Sequence, residues 1–148
     1  MIEHHLKQAV KNQQFLERLE ADHPEEYYDW KITVIFYVVV HWSRAFIKVR
    51  ERRAVSIASH TQAKAYLKKH FRKFAYDYYV TLDELCDTAR YEGVDVAEAV
   101  WVQDRKDDYD AAKKIMEALQ REIGRFIPEV LNPLPPSAHA MPTAEQNP

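Results

Sequence analysis

A chain of 148 residues is long enough to bury one core and too short to divide comfortably into two. It has only two glycines, Gly93 and Gly124, which starves it of the residue that β-hairpins need for positive φ, and its 30% charged residues alternate with apolar ones at helical spacing, so an all-α protein is expected. The formal charge of −2 is near balance, and one cysteine, Cys86, excludes an intrachain disulfide; with a polar opening, MIEHHLKQAV, where a secretory leader is apolar, a reducing cytoplasm is the expected location.

Residues 3 to 21 carry Leu6, Val10, Leu16 and Leu19 among polar residues, which predicts an amphipathic first helix ending before DHPEE, where Pro24 opens the next. The run ITVIFYVVV, residues 32 to 40, is β-branched and by propensity a strand. No turn signal separates Pro24 from the end of the basic run near Arg53, however, and that length predicts a central helix buried almost all round. His41, Ser43 and Arg44 close the run at half the length a bilayer requires.

Ser59 is placed as the N-cap of a third helix from about His60 to about Lys73. Ala75, Tyr78, Leu82, Leu85 and Ala89 step by threes and fours down a fourth helix that stops near Gly93. Tyr109, Ala112, Met116, Leu119, Ile123 and Phe126 keep that rhythm in a last helix. Six of the seven prolines lie beyond Ile127, which predicts one helical domain over residues 1–127 and a disordered tail over 128–148.

The near-neutral charge is a cancellation. Residues 44 to 73 hold ten Lys and Arg against Glu51, a net of +9, whereas residues 77 to 110 hold eleven acidic residues against three basic ones, a net of −8. The basic stretch, flanked by Tyr66, Phe71, Phe74 and Tyr76, suits a phosphate backbone with bases to stack. Equally, adjacent helices or two subunits use such faces to pair and stay soluble. On the central helix Tyr37, His41, Arg44 and Lys48 fall at spacings of four, three and four, one polar stripe on an apolar cylinder that must face something wet or polar. For His41 the alternative is a hydrogen bond inside the bundle that fixes helix register.

Taken together, DWKITVIFYVVVHWSRAF, then Ser59–His60, then YDYYVTLDELCDTARYEG resemble the HEPN superfamily of small helical bundles, in particular its stand-alone prokaryotic members. The matching features are Trp30, Phe36 with Tyr37, His41, the Ser59–His60 pair opening the third helix, and Ala89 to Tyr91 closing the fourth, across residues 4 to 127. The resemblance implies an up-and-down bundle of four or five helices, usually homodimeric. The superfamily includes metal-independent endoribonucleases, toxin components and non-catalytic RNA- or nucleotide-binding modules.

Its catalytic members carry Arg, four to six residues, then His, a count that Arg53 and His60 satisfy. Metal-free RNA cleavage needs a base for the ribose 2′-hydroxyl and cations to steady the phosphate; histidine is the side chain suited to the first task. His60 is then the candidate base, with Arg53, Lys64 or Arg90 as donors and the start of the third helix offering backbone N–H groups. The alternative is that Ser59 caps the helix and His60 bonds Tyr91 or an acidic neighbour. Arg44, Lys48, Lys64, Lys68 and Arg90 are the candidate nucleic-acid contacts, and Tyr37, His41, Ser59 and Tyr91 the candidate pocket.

Other chemistries fare worse. His4, His5, His23 and His139 lack the helical spacing of a metal-binding pair, no phosphate-binding glycine loop exists, and no cofactor is implied. Cys86 lies among core-facing residues and is expected to be an inert buried thiol. Asp104, Asp107, Asp108 and Asp110 sit on a polar helix face beside Lys106, where solvation accounts for them. Two function classes remain: an RNA- or nucleotide-engaging domain, with or without ribonuclease activity, and a non-catalytic module joining a partner protein through its basic and acidic faces.

Overall fold

The computed structural model describes residues 2–91 and 98–132. Five helices are present among them: α1 (Glu3–Asp22), α2 (Tyr28–Glu51), α3 (His60–His70), α4 (Lys73–Tyr91) and α5 (Glu98–Gly124), followed by a 3-10 turn at Pro128–Val130. No strand occurs among the described residues, as the scarcity of glycine implies. The expectations for Gly93 and for the proline-rich tail past residue 132 lie outside the described residues.

The centre of the bundle is α2, which packs against each of the other four helices. Its 24 residues extend about 36 Å. Ile32, Ile35, Phe36, Val38, Val39, Ala45, Phe46 and Ile47 have no solvent exposure at all. A β-branched run is helical here because burial on every side outweighs the few tenths of a kcal/mol per residue by which propensity disfavours it. By length and composition α2 would also suffice to cross a membrane, but most of it is buried against its neighbours.

Side-chain contacts fix the helix directions. His5 meets His41, so α1 runs antiparallel to α2. Tyr28 meets Tyr109 and Phe46 meets Phe126, so α5 runs parallel to it. The Phe36 ring lies 6.0 Å from that of Tyr79, and Lys64 pairs with Asp83, which sets α4 antiparallel to both α2 and α3. The short α3 runs the same way as α2: His60 lies beside Phe36, while Lys69 and His70 reach Glu51. Residues 52–59 therefore carry the chain back along the bundle before α3 begins, and α1, α2, α4 and α5 form the alternating frame.

Several boundaries differ from the sequence reading. Pro24 does not open α2; it lies in a turn closed by the Glu26 N–H donating to the His23 carbonyl, and the helix starts at Tyr28 after Tyr27 takes a left-handed conformation (φ 56°). The fully buried Lys31 holds that turn, donating to the carbonyls of His23 (2.6 Å) and Pro24 (3.4 Å) with its ammonium over the Tyr28 and Tyr109 rings. The third helix stops at His70, short of Lys73, because Phe71 turns extended (ψ 148°) to stack 4.8 Å from Phe46. The last helix begins at Glu98, a start that the sequence reading left open. Residues just past Ile127 belong to the bundle: Val130 is buried, and its carbonyl accepts from Gln120 Nε2 at 2.8 Å.

Candidate polyanion-binding face

The start of α3 forms as its sequence directs. Ser59 is extended and its Oγ accepts from the Gln62 N–H at 3.1 Å, while Gln62 Oε1 accepts from the Ala58 N–H at 2.8 Å. The two bonds satisfy donors that a helix start otherwise leaves free. His60 is exposed, and its ring lies 5.6 Å from that of Phe36. Tyr37, 38% exposed, neighbours the same Phe36 ring. Arg90 bonds Asp87 at 2.9 Å and stands over the Tyr91 ring, which is 75% exposed. Among the described residues, neither Tyr91 nor an acidic residue bonds to His60. This end of the face is aromatic, with its arginine already paired.

One turn further along α2, the polar stripe meets α1. His41 Nδ1 lies 3.1 Å from His5 Nδ1, a ring-to-ring hydrogen bond across the helix interface, and the His4 ring lies 4.5 Å from that of His5. Burial, with Lys48 and the neighbouring His41, His4 and Arg44, pushes the His5 imidazole down to about 4. Burial and Arg44, with His4, lower His41 in the same direction. At neutral pH the pair is therefore uncharged, one ring donating to the other. The expected register-fixing bond of His41 thus exists, with a partner that sequence reading overlooked.

Past the histidines the stripe becomes cationic. Arg44, Lys48 and Arg52 follow at intervals of four, and none has a carboxylate partner among the described residues. Arg44 Nε is buried with no hydrogen-bond partner among the described residues. Arg52, the C-cap of α2, sits in the left-handed region (φ 53°). Lys48, Arg52 and Arg53, with Ile2, Ala54 and Val55, line a recess of about 440 Å³. Another concavity of about 400 Å³ lies on α1 between Gln14, Glu17, Arg18 and Ala21, where one acid balances one base.

Elsewhere the basic stretch is largely neutralised within the chain. Lys64 pairs with Asp83 and Lys73 with Asp77. Glu51, almost inaccessible, takes His70 at 2.6 Å, Lys69 at 2.9 Å and Arg53 at 3.4 Å, and those donors hold its carboxyl down at about 2. Buried Glu122 binds Arg72 through both Nε and Nη2 and also meets Arg125; burial alone would raise its carboxyl, and the two guanidiniums outweigh it. Lys68 is exposed on α3.

The predicted site is thus divided. Tyr37, Ser59, His60, Arg90 and Tyr91 occupy one end, and Arg44, Lys48 and Arg53 the other, with His41 between. Arg53 follows the C-cap of α2, whereas His60 sits at the level of Phe36, about 24 Å back along the helix axis. One chain does not bring that pair together. What sequence reading missed is His5, whose signal is positional: it falls on the α1 stripe with Ala9 and Leu16, the three buried residues of that helix.

Among the described residues no group of three His, Cys, Asp or Glu is placed to hold a metal ion. Cys86 is fully buried, which pushes its thiol up to about 11, as an inert core cysteine requires. No protein-family model, curated protein or solved structure matches the chain. The fold and face define an all-α bundle carrying a basic ridge whose cations have no carboxylate partner among the described residues.

Proposed function

We propose that the protein is an RNA- or nucleotide-engaging, HEPN-like helical bundle that holds the phosphate backbone along the α2 ridge. The observation that carries this reading is the contrast in charge pairing: Arg44, Lys48 and Arg52 have no carboxylate partners among the described residues, while most neighbouring cations do. Cations left unpaired at successive turns of one helix raise the potential of that face and favour a polyanion. Tyr37 and Tyr91 at the other end of the stripe are exposed surfaces for stacking bases.

Ribonuclease action by Arg53 and His60, as in a toxin or defence component, requires two chains, because in one chain they stand apart. A homodimer belongs to this reading, and Trp30, 60% exposed near the start of α2, is an apolar surface for it to cover. The competing module, joining a partner protein through acidic and basic faces, has less charge to offer, since many of those residues already pair with each other.

Labelled single-stranded RNA in EDTA, with wild type, His60→Ala and Arg53→Ala, tests the reading. Salt-sensitive binding, with log Kd rising about 2 to 3 per decade of salt for three or four contacts, supports RNA engagement. Cleavage lost in both variants adds catalysis. Neither binding nor cleavage leaves the protein-partner reading.

A further inference from the structure

The recess at the end of α2 differs from the ridge that leads to it. Along Arg44 and Lys48 one cation is offered per helical turn, the arrangement that suits a chain of singly charged phosphodiesters. At the recess three cations, Lys48, Arg52 and Arg53, surround one cavity whose other walls, Ile2, Ala54 and Val55, are apolar. The acid nearest in sequence, Glu51, has a side chain only 4% exposed and shares its charge among His70, Lys69 and Arg53. The α1 N-terminus and the α2 C-terminus both end here, and their opposed partial charges offset each other. The side chains therefore set the local field. Arg52 keeps its cation there despite a left-handed backbone that glycine would adopt more easily.

We propose that this recess binds a terminal phosphate monoester of RNA, so that the chain recognises a strand end rather than an internal stretch. The proposal rests on the RNA reading and sharpens it. A monoester carries nearly two charges and three free oxygens at neutral pH, against one charge and two free oxygens for an internal diester. The former is the better match for a recess lined by Lys48 and Arg52, which have no carboxylate partner among the described residues, and by Arg53, which also bonds Glu51. A volume of about 440 Å³ also exceeds what a phosphate needs and admits the terminal nucleoside against the apolar wall.

The test compares one twelve-nucleotide RNA with a 5′-phosphate, a 3′-phosphate or hydroxyls at both ends, read by anisotropy with the full chain. One phosphorylated end is expected to bind about tenfold tighter than the hydroxyl form, and which end gains identifies the strand polarity. Lys48→Gln and Arg53→Gln each remove that gain, with far-ultraviolet circular dichroism confirming the helical fold. Equal affinity for all three RNAs overturns the inference and leaves the RNA reading standing. Absence of binding by any of them overturns both. A gain that survives both substitutions places the terminal phosphate elsewhere and also overturns the inference.

Discussion

Acidification strikes the α1–α2 interface through the His5–His41 pair. His5 is 8% exposed, and burial with Lys48, His41, His4 and Arg44 holds its imidazole at about 4, against 6.5 in the unfolded chain. The groups acting on it from α1 and α2 are all cationic or imidazole, so no carboxylate accepts the incoming charge. A histidine with a depressed folded-state pKa stabilises the fold fully above about 6.5, and that stabilisation drains as pH falls from 6.5 towards 4, because the unfolded chain takes the proton first. Each tenfold change in proton affinity corresponds to about 1.4 kcal/mol, so the full effect is at most about 3 kcal/mol, of which about 2 kcal/mol is lost by pH 5. Water at the rim of the helix pair reduces the pH 5 figure to about 1 kcal/mol.

Urea unfolding at pH 7.5, 6.0 and 5.0 measures this, with His5→Phe as the reference. The variant keeps a ring in the interface but removes the His5 titration, leaving His41 to titrate there alone. Carboxylates such as Glu51 lose their own stabilisation only as pH falls through about 4.5 and below, and they do so equally in both proteins. The wild type is expected to lose about 1 kcal/mol more than His5→Phe between pH 7.5 and pH 5. Parallel curves for the two proteins would refute the reasoning.

Arg52→Gly relieves a left-handed backbone and is expected to raise stability by about 0.5–1 kcal/mol in urea while weakening RNA binding several-fold, since the ridge loses a cation. Lys31→Met keeps the side chain's length but leaves the His23 and Pro24 carbonyls without their buried donor; a loss of about 2 kcal/mol in thermal or urea unfolding is expected. Gly124→Ala in a helix ordinarily gains stability, but a Cβ there collides with the Leu131 side chain, so no gain is expected until Leu131→Ala is added, when melting temperature rises above that of Leu131→Ala alone.

The helices were legible because their signals are local. Of the residues stepping by threes and fours down α4, Ala75, Leu82 and Ala89 are buried and Leu85 is partly so, whereas Tyr78 is 42% exposed and Tyr79 takes the core position beside it. Ser59 caps α3 as its sequence directs. The long reading of α2 over its β-branched run also held, since length between turn signals outweighed propensity. The direction of α3 was not legible, because nothing local says that residues 52–59 retrace the bundle. Nor was the end of the packed domain: six prolines beyond Ile127 read as a tail, whereas Val130 finds a buried place beside Gln120. At the candidate site, sequence spacing could identify the α2 stripe but not which cations are already neutralised, since Lys64–Asp83 and Arg72–Glu122 join residues 19 and 50 positions apart. His5 went unnoticed for the same reason: its partner is 36 residues away.

The location of the binding charge is the claim on which the functional account turns, and paired charge reversals test it directly. Lys48→Glu with Arg52→Glu, and separately Lys64→Glu with Lys68→Glu, are compared for affinity to one single-stranded RNA at fixed salt. Reversal on α2 is expected to weaken binding at least a hundredfold, and reversal on α3 by less than tenfold. Equal losses, or the larger loss from α3, would contradict the account.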